Sequence, residues 1–175
     1  MNHSQTASNQ LAQAPTRHGD HGNADSLRLM LVASSGGHLF QLIQLEPLWA
    51  RRDHVWVSFA TADARSLLAN KRVHWAFHPT NRSLLNLWRN LRLAFRLLRA
   101  ERPDVVLSTG AGVSVPFLLL ARLMGMRTIY LESITRIHEL SLSGRLVYPF
   151  VSRFLVQWEE LTAQYPRAEF HGRVL

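Results

Sequence analysis

The chain has 175 residues, a formal net charge of +8 and no cysteine. This length suits one domain with a sizeable core, and the lack of cysteine excludes a disulfide framework and a thiolate metal site. Arginine supplies the positive charge almost alone, since Lys71 is the only lysine. Such a surplus favours an anionic partner: a phosphorylated substrate, anionic lipid or nucleic acid.

Residues 1–26 are small and polar and carry no apolar stripe, a composition typical of a disordered tail. They lack the basic and apolar regions of a secretory signal peptide. The longest later apolar stretch, 113–126, is interrupted by Pro116 and Arg122 and is too short to span a bilayer. We therefore expect residues 27–175 to form one soluble domain.

A strand, a flexible elbow and a helix open this domain. Residues 27–33 are apolar and rich in strand formers, which predicts a buried parallel strand, and the leucines from Leu39 onwards recur at helical spacing. The elbow contains two glycines, which permit close backbone approach, and amide hydrogens at a helix N-terminus attract phosphate. A tight turn with a satisfied histidine is the structural alternative. The elbow residues are Ser34, Ser35, Gly36, Gly37 and His38.

Strands and helices then alternate along the rest of the chain. This alternation predicts an α/β fold with a parallel sheet covered by helices on both faces. The strands are predicted over residues 54–60, 73–77, 104–108, 127–131 and 153–157. The helices are predicted over residues 65–69, 83–100 and 142–150, with a further apolar helix that ends at Leu123.

Three loops are expected at one edge of this sheet, because ligands of parallel sheets bind at the carboxyl ends of the strands. They are residues 34–38, residues 109–112 and the loop that begins at Glu132. The second loop repeats the first, since glycines again open a helix after a buried strand. The dinucleotide and P-loop signatures are absent. The sequence therefore predicts a binding cleft for a phosphorylated ligand at this edge.

The helix over residues 83–100 has a basic face and an apolar face, with Trp88 at the margin. We expect the apolar face to pack on the sheet and the basic face to bind an anionic membrane surface. Nucleic acid is the weaker alternative, because no nucleic-acid-binding motif accompanies the charge. The basic face comprises Arg89, Arg92, Arg96 and Arg99, and the apolar face comprises Leu84, Leu87, Leu91, Ala94, Phe95 and Leu98.

The run "YLESITRIHELSLSGRLVYPFVSRFLVQWEELTAQYPRAEFHGRVL", from Tyr130 onwards, resembles the asparagine-linked glycosylation protein 14 family and its bacterial PssD-type exopolysaccharide relatives. The motifs "SSGGH", "STGAG" and "ES…SLSGR…VQW" also occur in the family's order. The resemblance covers about residues 27–175. It implies a single Rossmann-like domain equivalent to the N-terminal, acceptor-binding half of a GT-B glycosyltransferase, similar to that half of MurG.

The resemblance also implies a reaction and a partner. Members of the family act with a separate donor-binding chain, the C-terminal GT-B half. Together the two chains transfer a sugar, N-acetylglucosamine in the eukaryotic case, from a UDP-sugar to a polyprenyl-diphosphate-linked acceptor. We expect no cofactor and no metal site.

In this family the elbow faces the cleft between the two halves. Histidine titrates near neutral pH, so His38 is expected either to remove the proton from the attacking sugar hydroxyl or to hydrogen-bond a phosphate. Glu132 is the rival base, unless it has the structural role of a carboxylate that caps a following helix. The residues expected to bind the acceptor phosphates are Ser34, Ser35, Gly36, Gly37, Thr109, Gly110, Gly112 and Ser133.

These expectations lead to one leading function and two alternatives. The leading function is an acceptor-binding, membrane-associating glycosyltransferase subunit in oligosaccharide or exopolysaccharide biosynthesis. The alternatives are a non-catalytic scaffold that recruits the donor-binding chain to the membrane, and a basic nucleic-acid-binding module. Eukaryotic members begin with a membrane-spanning helix, whereas residues 1–26 here are polar. We therefore expect peripheral attachment to the cytoplasmic face of the membrane through the arginine-rich helix.

Overall fold

The computed structural model describes residues 27–80 and 83–174, so the predicted tail lies outside the described residues. Within these residues, seven strands form one parallel sheet. The strands are β1 (Leu29–Ala33), β2 (His54–Phe59), β3 (Val73–Ala76), β4 (Val105–Gly110), β5 (Arg127–Leu131), β6 (Arg153–Val156) and β7 (Ala168–Phe170). Their order across the sheet is β3-β2-β1-β4-β5-β6-β7.

Helices cover both faces of this sheet. They are α1 (Gly37–Ile43), α2 (Glu46–Trp49), α3 (Ala62–Leu67), α4 (Leu84–Glu101), α5 (Ser114–Leu123), α6 (Leu142–Val147) and α7 (Glu160–Gln164). The first three pack on one face in a core around Trp56, and α4, α5 and α6 pack on the other in a core around Phe117 and Phe154. The predicted α/β fold, a parallel sheet covered on both faces, is confirmed.

The structure also differs from the prediction in several bounds. β5 has the predicted bounds, whereas β4 continues past Ser108 through Gly110, and α6 ends at Val147. The sequence did not predict α2, α7 or β7. These elements have four, five and three residues, which is too short for apolar periodicity to be visible.

The predicted apolar face of α4 is only partly correct, since Ala94 and Leu98 are buried as expected. Leu84 is 77% exposed and Phe95 is 47% exposed, although both were expected to pack on the sheet. The residues that α4 does bury are Asn86, Asn90, Leu93, Ala94, Leu97 and Leu98.

Two asparagines that face inward explain why α4 buries a different side from the one predicted. Asn90 donates to the Phe77 carbonyl at 2.8 Å and accepts from the Phe77 amide at 2.9 Å. Asn86 donates to the Pro79 carbonyl at 2.9 Å. The asparagines therefore satisfy backbone groups of the loop before the helix, which gives two polar residues inward positions in its first two turns.

Among the described residues, no helix is both long and apolar enough to cross a membrane.

Candidate functional site

The candidate site lies where the strand order reverses. From β1 the chain runs to β2 and β3 on one side, and β4 begins the series on the other side. In sheets of this type, ligands bind at the carboxyl ends of the strands at this switch point. The pairing of β1 with β4 shifts register there: Val32 pairs with Ser108 and Ala33 pairs with Gly110, so that Thr109 is left as a bulge. A bulge of this kind changes the direction in which the side chain and the backbone groups of the bulged residue point.

Two hydrogen bonds join Thr109 and His38 across this switch point. The His38 ring nitrogen Nδ1 lies 2.7 Å from the Thr109 carbonyl oxygen, and the buried Thr109 hydroxyl donates to the His38 carbonyl at 2.6 Å. A carbonyl only accepts, so Nδ1 carries the hydrogen and Nε2 is the basic nitrogen of the neutral ring. Thr109, predicted to bind phosphate, uses its hydroxyl and its carbonyl to hydrogen-bond His38.

Gly110 allows the histidine to sit this close to the sheet. Its φ is +117°, and a Cβ built on it would lie 3.0 Å from the His38 ring and 3.1 Å from the Tyr130 hydroxyl. A side chain at Gly110 would therefore both strain the backbone and displace the ring. Burial raises the pKa of Tyr130 far above its usual range, and the charge of Glu132 acts in the same direction. The Tyr130 hydroxyl is therefore a neutral neighbour of the site.

The two elbow glycines differ in their surroundings: a carboxylate lies at the backbone amide of Gly36, whereas Gly37 lies at the exposed start of α1. The amide of Gly36 donates to a carboxylate oxygen of Asp63 at 2.9 Å. A phosphate at this amide would have to displace a negatively charged group, which weakens the prediction that Gly36 binds phosphate. Gly37, the first residue of α1, is exposed. A Cβ on either glycine would meet nothing within 4 Å, so the elbow borders open space.

Glu132 lies directly after β5 and is fully buried. One carboxylate oxygen accepts from the Ser133 amide at 2.9 Å. The other accepts from the Ser141 amide at 2.9 Å and from the Ser141 hydroxyl at 3.0 Å. The Ser141 hydroxyl in turn accepts from the Gly144 amide in the first turn of α6. This geometry favours the structural role of Glu132 over the role of base.

The backbone carbonyl of Glu132 joins two further parts of the chain, α1 and the segment after β6. Its carbonyl accepts from Gln157 at 3.0 Å and from Gln41, in α1, at 3.3 Å. The side-chain oxygen of Gln157 accepts from the Val174 amide at 2.8 Å. The sequence indicated no role for Gln41 or Gln157, because their partner Glu132 lies 91 and 25 positions away along the chain. Ser141 belongs to the motif "SLSGR", but its bonds to Glu132 depend on how the intervening loop folds.

The remaining predicted phosphate ligands follow the carboxyl ends of β1, β4 and β5. Ser34 is buried, and its hydroxyl donates to the Ser35 carbonyl at 3.2 Å. The Ser133 hydroxyl lies 2.9 Å from that of Thr135. A Cβ on Gly112 would lie 3.1 Å from the Thr80 hydroxyl, which places the loop before α4 beside the β4–α5 loop.

Two surface hollows lie at the opposite, amino edge of the sheet. One, of about 340 Å³, is lined by residues 52–54 and 70–72. The other, of about 570 Å³, is lined by residues that include Leu27, Asp104 and Arg127. Both lie away from His38, whose surroundings form an open surface.

The predicted basic face of α4 lies at the protein surface. All four of its arginines are exposed, and none forms a salt bridge with a carboxylate in the part of the chain that the structure describes. Trp88 is 64% exposed beside them, and the Arg99 guanidinium lies 5.5 Å from the centre of the Phe95 ring. The helix therefore presents arginines and large apolar side chains together.

The parallel seven-stranded sheet with helices on both faces is a Rossmann-like fold. A solved structure with this fold is *Acinetobacter baumannii* MurG, which superposes with a TM-score of 0.63 at 18% identity over 77% of this chain. The chain spans 42% of that MurG structure.

The sequence comparisons identify the family. Residues 62–174 match the family described as "Oligosaccharide biosynthesis protein Alg14 like", and the chain belongs to this family. A mouse relative named "UDP-N-acetylglucosamine transferase subunit ALG14" is 28% identical in an alignment 183 residues long, gaps included, that covers 86% of this chain and 84% of the relative. The *Schizosaccharomyces pombe* protein of the same name is 47% identical over 77 residues, which cover 41% of this chain and 37% of that protein.

Proposed function

We propose that this chain is the acceptor-binding, membrane-associating subunit of a two-chain glycosyltransferase. Its reaction moves N-acetylglucosamine or a related sugar from a UDP-sugar to a polyprenyl-diphosphate-linked acceptor. The names of the relatives, which call them transferase subunits, support the reaction class and the need for a partner. The match to less than half of MurG supports the absence of a donor-binding half from the described residues.

The observation that carries the proposal is the hydrogen bond between His38 and the Thr109 carbonyl at the switch point. This bond leaves Nε2 as the basic nitrogen beside the open elbow. In the proposed reaction, Nε2 takes the proton of the acceptor hydroxyl. The oxygen of that hydroxyl bonds to the anomeric carbon of the donor sugar, and the bond between this carbon and UDP breaks. The open elbow suits this chemistry only when a second chain closes over it, because transfer to an acceptor must exclude water.

The purified chain should therefore show no sugar transfer by itself. Incubation with UDP-N-acetylglucosamine and a synthetic polyprenyl-diphosphate-linked sugar should give product only after the donor-binding chain is added. Product is measured by chromatography of the lipid-linked glycan, with the donor-binding chain alone as the control. Robust transfer by the isolated chain would contradict the two-chain proposal.

Membrane association is proposed to depend on the basic face of α4. Replacing Arg89, Arg92, Arg96 and Arg99 by glutamine removes the charge and leaves helix propensity nearly unchanged. Each arginine near an anionic surface contributes ~1 kcal/mol, so we expect binding to phosphatidylserine vesicles to fall about a hundredfold or more. Wild-type binding should also fall in high salt, as the Debye length shrinks from ~10 Å at 0.1 M to ~3 Å at 1 M.

A matched variant separates this face from net charge. Arg28, Arg51, Arg65 and Arg127 are exposed and lie outside α4. Replacing these four by glutamine changes the net charge equally and should weaken vesicle sedimentation only slightly. Equal losses in the two variants would show that overall charge, not the α4 face, attracts the membrane.

A further inference from the structure

The two helical layers of the protein differ sharply in charge. The layer formed by α4, α5 and α6 contains one acid, Glu101, which pairs with His74 and Arg72. The layer formed by α1, α2 and α3 contains Arg65 against two acids, Glu46 and Asp63. The arginines of the first layer are Arg89, Arg92, Arg96, Arg99, Arg122 and Arg145. Arg145 pairs with Glu139, and α7, which packs in the same core through Leu161, carries Glu160. The positive charge of this face is therefore concentrated on α4, with Arg122 of α5 as a further arginine of the same layer.

On this cationic layer, α6 exposes an apolar stripe. Leu142 is 74% exposed, Leu146 is 51% exposed and Phe150 is 52% exposed. They recur every fourth residue, which places them on one side of the helix and of the turn that follows it. The opposite side of α6 is buried through Gly144 and Val147. Contiguous exposed apolar side chains of this size mark an interaction surface.

The stripe on α6 lies beside the proposed membrane surface. α5 packs against both α4 and α6, so it lies between them in the same layer. Leu84 and Leu142, both largely exposed, are the first residues of α4 and α6. These two helices follow β3 and β5, so both begin at the carboxyl edge of the sheet, the edge that carries His38.

We propose that α6 is a second lipid contact, in which Leu142, Leu146 and Phe150 enter the boundary between the headgroups and the acyl chains. The lipid surface is favoured as the occupant because the stripe shares a helical layer with α4, whose exposed arginines and large apolar side chains occur together, as in interfacial helices. This inference rests on the proposed function for the lipid-linked acceptor. It adds that attachment through α4 and α6 orients the His38 edge of the sheet towards the bilayer.

The lack of cysteine in the chain makes a direct test simple. Single cysteines at Leu146 in α6, Leu85 in α4 and Leu67 in α3 can each carry an environment-sensitive fluorophore. Leu67 is the matched control, because it is 45% exposed on the opposite face of the sheet. Each labelled full-length chain is mixed with vesicles of phosphatidylcholine, with or without phosphatidylglycerol, and with the donor-binding chain in the absence of lipid.

We expect the emission of the Leu146 and Leu85 labels to shift to the blue on anionic vesicles, while the Leu67 label stays unchanged. A shift at Leu85 without one at Leu146 would overturn the α6 contact and leave the α4 surface intact. A shift at Leu146 without one at Leu85 would support α6 and count against α4. A shift at Leu146 caused by the donor-binding chain without lipid would overturn the lipid assignment and make the stripe a protein interface.

A second variant tests the strength of the contact. Replacing Leu142, Leu146 and Phe150 by serine should weaken binding to anionic vesicles about tenfold or more, because partial burial of three large apolar side chains is lost. The control replaces Leu48 and Leu67, on the opposite layer, by serine and should bind as wild type. Circular dichroism establishes that both variants are folded. Unchanged vesicle binding by the folded α6 variant would overturn the proposal.

Discussion

Replacing His38 by alanine should lower kcat of the assembled two-chain enzyme about 10²–10⁴-fold, the usual contribution of a positioned acid–base group. The reason is geometric: the bond to the Thr109 carbonyl holds the ring with Nε2 as its basic nitrogen. Partner binding should be unchanged, since the substitution leaves the backbone in place. The measurement is the initial rate of transfer at saturating donor and acceptor.

His38→Gln separates the two roles that the sequence left open. Glutamine offers an amide near the Nε2 position that can donate to a phosphate but cannot accept a proton near neutral pH. If His38 is the base, His38→Gln should be as slow as His38→Ala. Near-wild-type activity of His38→Gln would instead make the residue a phosphate contact, and a loss below tenfold in both would favour the scaffold alternative.

His54 supplies a matched control for the alanine substitution. Its Nδ1 also lies 2.7 Å from a backbone carbonyl, that of Arg52, but at the opposite edge of the sheet. His54→Ala removes the same kind of bond and should leave kcat near the wild-type value. A comparable loss of activity in His54→Ala would show that the effect of His38→Ala arises from general loss of structure.

Gly144→Ala should lower the free energy of unfolding by about 3 kcal/mol, the largest loss of stability that we expect from adding one methyl group. The new Cβ would come within van der Waals overlap of a carboxylate oxygen of Glu132. The carboxylate cannot move away without breaking its buried bonds to the amide and hydroxyl of Ser141. Loss of those bonds would also release the first turn of α6, which Ser141 caps.

Urea titration followed by tryptophan fluorescence gives the two quantities needed, the midpoint and the slope. The control is Gly37→Ala, because a Cβ there meets nothing within 4 Å, and its stability should change by less than about 0.5 kcal/mol. A wild-type midpoint for Gly144→Ala would contradict the assigned packing around Glu132.

The strand–helix alternation was predictable because it depends on local periodicity. β5 has the predicted bounds, and α4 begins and ends within one residue of its predicted range. Short elements such as β7 could not be predicted from periodicity, since three residues cannot display a period. The burial of α4 was not predictable either, because Asn86 and Asn90 occupy inward positions only to bond the backbone of the preceding loop.

The sequence by itself determined the fold class, the family and the position of the elbow, because short-range patterns and motif order carry all three. Only the tertiary structure decided which hydrogen-bond partners the individual groups have. The tautomer of His38 depends on a carbonyl 71 positions away, and the amide of Gly36 is occupied by a carboxylate 27 positions away. The Glu132 carboxylate accepts hydrogen bonds from Ser141, the residue that caps α6, because the chain brings the start of α6 against the end of β5. Contacts of this range arise from packing, which no local pattern records.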